Sequence, residues 1–286
     1  MSHAAIDALP PRVYAPPRPA VASRPFERAL GRAAAAWCMV AVAGQLMFAA
    51  YVLRVYGRAL IAGRPELWNK TMPHAWVPGD TLGNATAAGH LLLAVVVMLL
   101  GAVQLVPVLR RRAPAVHRWS GRVFVVAAMA MGVSGVYMLV VLPPIGGLGS
   151  QLPIVLNAVL ILAFAGLAWR DALARRFDQH RRWALRLYLV VSGVWFFRIG
   201  LMAWIVVNHG PVGFDPKTFT GPAVTLLAFG QTLLPLAVLE ATLRVRRQAG
   251  EGARFAMAAG LCAATLLTLL GIAAATLIMW LPRMHG

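Results

Sequence analysis

The sequence predicts an all-α, polytopic transmembrane helix bundle of about seven spans, with its N-terminus in the cytoplasm. Three observations predict it. The chain is 60% hydrophobic and 13% charged, whereas a soluble globule of this size is close to half apolar and about a quarter charged. Its apolar residues fall in seven runs, at about 33–53, 85–109, 121–142, 152–169, 184–207, 221–243 and 256–281, and about 18 or more such residues suffice for a helix to cross the hydrocarbon of a bilayer. Basic residues gather in alternate connections. The runs are continuous rather than alternating, which excludes an outer-membrane barrel.

Residues 1–25 hold Pro10, Pro11, Pro16, Pro17, Pro19 and Pro25 among alanines and arginines. Such a segment has almost nothing to bury and is expected to be a disordered tail. Residues 26–286 then form the membrane domain, with core helices at about 85–207. The first run reads as a retained anchor rather than a cleaved leader. Cys38 and Cys262 lie inside spans and read as small packing residues. The stretch 54–84 is the one long connection on the far side. Pro65, Pro73 and Pro78 break any long helix there, and Trp68 and Trp76 are expected to anchor it at the interface. The Pro143–Gly147 and His209–Pro222 connections are short and almost uncharged.

The net charge of +18 does not point to nucleic acid, because of where it sits. Arg12 to Arg32, Arg110 to Arg122, Arg170 to Arg186 and Arg244 to Arg254 hold twenty of the 27 Lys and Arg residues, all in alternate segments. The positive-inside rule places those segments in the cytoplasm and the C-terminus outside. Basic clusters beside spans also attract anionic lipid head groups. The expected partner is thus a lipid bilayer and not a nucleic acid.

Two segments repeat a pattern. His117-Arg118-Trp119-Ser120-Gly121-Arg122 opens the third apolar run, and His180-Arg181-Arg182-Trp183, followed by Arg186, opens the fifth. The shift suggests a weak parallel repeat. With His90 opening the second run and Arg198 inside the fifth, these gates make residues 85–205 similar to a family of bacterial membrane proteins known as domain of unknown function 2306. The resemblance implies a helical membrane fold in the bacterial cytoplasmic membrane and carries no settled activity. The four-helix core is also similar in outline to two-haem b-type cytochromes that reduce ascorbate-linked or ferric substrates. It departs from them in lacking their matched histidine pairs.

Ionisable groups inside spans are costly, so each is a functional candidate. Arg198 falls roughly 22 Å beyond Trp183 along a helix, in the outer half of a core about 30 Å thick. It needs an anionic ligand, a haem propionate, a water-filled cavity or several carbonyls, unless it reaches the outer head groups. His90 lies at similar depth, and the two could line one outward-facing cavity. Gln104 follows His90 by almost four turns and shares its helix face. His90 alone reads equally as an interhelical hydrogen bond.

His117 and His180 share the arginine-rich face. A haem b takes two facing imidazoles, and Arg122 and Arg186 would suit its propionates, so His117, His180, Arg122 and Arg186 form a second candidate site. The plainer alternative is solvated histidine beside arginine at a membrane boundary. Gly132, Ser134, Gly135, Ser192 and Gly193 allow close helix approach and support packing of the third and fifth spans in the core. Asn157 and Gln231 are lone polar groups. Three classes stay open: a haem-linked redox protein, a transporter or small-molecule binder with a cavity at Arg198, His90 and Gln104, and a structural subunit.

Overall fold

The computed structural model describes residues 25–141 and 146–285, so the tail and residues 142–145 lie outside it. Among the described residues six helices are long and apolar enough to cross a membrane, or seven if the bent pair Phe177–Val191 and Gly193–Val207 is one span. No strand occurs among the described residues.

Helix α1 (Pro25–Val52) starts on a proline, whose missing N–H costs nothing in a first turn. It runs on through a π-helical turn (Leu53–Gly57) and α2 (Arg58–Ile61). Pro65–Lys70 forms a short 3-10 turn. Helix α3 (Thr81–Gln104) begins at Asp80, whose carboxylate accepts the Gly83 N–H at 2.8 Å. It stops earlier than the apolar run because Pro107 starts a separate short helix, α4 (Pro107–Arg112).

Pro114 then opens α5 (Pro114–Val141). The first gate is therefore helical, and His117 lies in its opening turn rather than in a loop ahead of it. Helix α6 (Gly147–Leu173) carries Pro153 inside its second turn. The second gate is also helical, inside α7 (Phe177–Val191).

The fifth run is two helices. α7 ends at Ser192, and α8 (Gly193–Val207) leaves it at 50°. At the break the Ser192 N–H moves to the Leu189 carbonyl (3.2 Å). The Tyr188 carbonyl thereby loses its usual donor, and the Ser192 hydroxyl takes it at 2.7 Å. A serine is what a break inside a membrane requires, since a bare carbonyl there costs several kcal/mol. Helix α9 (Pro222–Gln248) and α10 (Glu251–Ala274) follow. α10 continues through a second π-helical segment (Ala275–Trp280) into α11 (Leu281–His285).

The helices close a ring in the order α1, α3, α5, α6, α9, α10, with α10 packed back on α1. The bent pair runs inside it: Leu187 to Val190 of α7 are four consecutive buried residues, and Trp195 of α8 is 2% exposed. One end of the bundle carries the arginine clusters; the other is covered by residues 53–80. The small residues of the third and fifth spans lie at helix contacts in the core. Gly132 of α5 faces Ile161, and Gly193 faces Asn157. The cover is built, not draped: Trp68, expected at the interface, is 2% exposed and donates its indole N–H to the Tyr56 carbonyl at 3.0 Å. Asn84 fixes the cover to α3 through paired bonds with the Val77 backbone, both 2.8 Å. Large apolar side chains such as Leu266, Leu267 and Leu270 face outward, as a lipid-facing surface requires.

Candidate functional site

An internal cavity of about 200 Å³ lies at the covered end, between α1, α3, α5 and the bent pair. Met72 of the cover forms part of its wall, as do Met98 of α3 and Met131 of α5. His90 and Arg198 both line it. Arg198 is partly buried and lines this cavity. Its guanidinium stands 5.1 Å above the Phe48 ring. Among the described residues no carboxylate lies within ion-pair distance of it.

Phe48 belongs to an aromatic cluster that the sequence reading did not single out. It stacks on Trp280 (5.4 Å) and Tyr51 (5.9 Å), and Tyr51 meets Tyr56 edge-on at 6.3 Å. Tyr56 and Trp280 lie in the two π-helical segments. Such segments are rare and occur mostly as single-turn bulges, frequently at functional sites. Here α1 and α10 carry one each, both beside Arg198. Helix α11 follows, and Arg283 on it is close enough to act electrostatically on both Tyr51 and Arg198.

His90 Nδ1 lies 2.8 Å from the Ser134 hydroxyl oxygen, which also reaches the Met131 carbonyl at 3.2 Å. When the hydroxyl donates to that carbonyl, Nδ1 carries the proton and Nε2 presents a lone pair; when it donates to Nδ1, Nε2 carries the proton. A chain of hydrogen bonds lies at the cavity wall: Tyr188 Oη donates to Gln45 Oε1 (2.9 Å), and Gln45 Nε2 donates to Ser192 Oγ (3.0 Å). Gln45, 1% exposed, is a second residue the sequence reading passed over. Its one signal was a lone amide within an apolar run.

Gln104 does not join His90 and Arg198. Its amide donates to Ser120 Oγ (2.7 Å) and the His117 carbonyl (3.2 Å) at the arginine end. Four turns on one helix face set the same direction but a level about 20 Å away. The gate residues form a second group. Arg122 stacks over Trp119 at 4.8 Å and Arg186 over Trp183 at 4.6 Å, the same three-residue spacing in both gates. His180 Nδ1 donates to the Ala168 carbonyl at 2.9 Å. His117 Nδ1 is buried without a partner and lies within electrostatic range of His180. Arg186 pairs with Glu240 at 2.7 Å. Asn157 accepts from Thr232 of α9 at 2.9 Å, and Gln231 donates to the Ala228 carbonyl. No group of three or more metal-ligating side chains exists among the described residues.

The fold defines a multi-pass helical membrane protein with a mostly apolar cavity near one end that holds His90 and Arg198 in its wall. Residues 87–225 match the family described as predicted membrane protein (DUF2306), the family that the gates and His90 resemble. The match spans α3 to the start of α9, the helices that supply both His90 and Arg198. No curated protein and no solved structure matches the chain.

Proposed function

We propose that this protein binds a small anionic molecule in the cavity beside Arg198 and His90, as a receptor or carrier in the membrane. One observation carries the reading: a partly buried guanidinium that lines a cavity and has no carboxylate partner among the described residues. An uncompensated buried charge costs several kcal/mol, and an anionic occupant removes that cost. The size of the cavity limits the occupant. A cavity of about 150 Å³ holds benzene, so one of about 200 Å³ takes a molecule little larger than a single ring. A porphyrin exceeds it.

The arginine-rich end is proposed to face the cytoplasm of a bacterial cell, against anionic head groups. Its gates then fix orientation and register. Arg198→Met and Arg198→Gln test the proposal in purified, detergent-solubilised protein. Without ligand, Arg198→Met is expected to melt at a higher temperature than the native chain, because the unpaired charge is gone. Small carboxylic acids should raise the melting temperature of the native protein and leave both variants unmoved. A variant that melts lower, with no acid stabilising the native chain, makes Arg198 a structural residue. An absorbance scan of the same sample tests the haem alternative: a Soret band that shifts on dithionite would move the chemistry to His117 and His180.

A further inference from the structure

The cavity offers donors and acceptors unevenly, and that imbalance specifies its occupant more narrowly than charge alone. Two donors in its lining, both on α8, have no acceptor among the described residues. Arg198 is one. The other is the indole Nε1 of Trp195, which is 2% exposed and buried without a partner. Outside the lining, Nε1 of Trp280, 1% exposed, is buried without a partner too, and its ring stacks on the same Phe48 that lies under Arg198. Buried donors are normally satisfied, and each exception calls for an explanation. Helix α8 thus brings two unpaired donors to the cavity wall, with no acidic side chain in the lining to meet them.

His90 supplies the opposite function. In the tautomer whose Nδ1 proton is held by the Ser134 oxygen, 2.8 Å away, Nε2 accepts. The remaining wall mixes aliphatic side chains such as Leu91, Val97 and Val191 with aromatic and sulfur-bearing ones, among them Phe48, Tyr51 and Met98. Flat rings and thioethers pack well on a planar π-system.

We propose that the cavity is a site for a small aromatic carboxylate bearing a hydroxyl group. Its carboxylate sits on Arg198 with the indole N–H of Trp195, and its hydroxyl donates to Nε2 of His90. The carboxylate supplies the acceptors that the donors lack, in a geometry a guanidinium meets with two parallel bonds. The ring fills the apolar wall. Trp280 serves as a positioning residue, holding Phe48 and Tyr51 against the ligand. This inference rests on the anion-binding reading above and adds the ring and the hydroxyl to it.

The probes are benzoate, 3- and 4-hydroxybenzoate, and cyclohexanecarboxylate, titrated calorimetrically into the full-length protein in detergent. One hydroxybenzoate isomer is expected to bind at least tenfold tighter than benzoate, and benzoate tighter than its saturated counterpart. His90→Phe should erase the hydroxyl preference and keep benzoate binding. Trp195→Phe should weaken all carboxylates together; melting temperatures confirm that both variants fold. Equal binding of benzoate and both hydroxybenzoates overturns the hydroxyl assignment, and equal binding of the saturated acid overturns the aromatic one. In both cases the anion-binding reading stands. If no carboxylate binds, both readings fall.

Discussion

Arg186 Nη2 lies 2.7 Å from Glu240 Oε1, with the same guanidinium stacked 4.6 Å over the Trp183 ring. One side chain of α7 thus joins its own helix to α9 at the arginine end. Glu240 is half exposed, which limits the strength of the pair. Glu240→Gln is expected to cost about 0.5–1 kcal/mol, less in high salt. Thermal melts of the variant at low and high ionic strength read this directly; a salt-independent loss would assign the effect to packing.

Gln45 joins α1 to the break in the bent pair. Gln45→Leu leaves the Tyr188 hydroxyl and the Ser192 oxygen without their partner, and is expected to cost about 1–2 kcal/mol. Tyr188→Phe should cost a similar amount. Because both remove the same bond, the double variant should lose clearly less than the sum of the two. Strict additivity in a double-mutant cycle would mean that the two side chains are not coupled.

Glycine matters most where α10 crosses α8. A Cβ on Gly271 would lie 2.7 Å from the Ile199 carbonyl oxygen, whereas one on Gly44 would meet the Ile272 and Trp195 side chains. Side chains can give way; a helix backbone moves only as a unit. Gly271→Ala is therefore expected to destabilise more than Gly44→Ala, with about 1–3 kcal/mol the usual range for overpacking. The reverse order in unfolding experiments would show that the α8–α10 crossing is loose.

The connection between α8 and α9 has its own acid limit. Asp215 Oδ1 accepts the Lys217 N–H at 2.8 Å, and the Asp215 backbone pairs with Thr220. That backbone donor holds the carboxyl below its ordinary value. A depressed carboxyl stabilises the folded loop above the unfolded value, near 3.9, and the contribution is lost as pH falls through the folded one. Amide exchange across 215–220 should therefore rise in acid, and Asp215→Asn should flatten that dependence. An unchanged acid limb in the variant would assign it to another group.

The helices themselves were legible, because continuous apolar runs have one stable solution in a bilayer. Their ends were less so. The first and last runs extend well beyond their apolar cores, to Pro25–Ile61 and Glu251–His285, since arginine and proline sit comfortably in helix ends at an interface. Ser192-Gly193 was visible as a small pair, but small residues permit close packing and breaks alike. The hydroxyl bond that settles the matter needs coordinates. At the site, depth counting along straight helices brought His90 and Arg198 to one level. It could not supply Trp195 or Trp280, which are ordinary aromatic residues in sequence and differ only in lacking an acceptor. Gln104 misled because a shared helix face says nothing of height.

The π-helical turns carry an arithmetic consequence. Each holds one more residue than the α-helical turn it replaces, so everything beyond it is rotated by about 100° relative to an uninterrupted helix. Removing a single residue from Ala275–Trp280 would relax that turn and swing Arg283 about a quarter of the way around its axis. The orientation of the last turn is thus set by chain length, and single-residue deletions there would re-aim it without changing any residue that it carries.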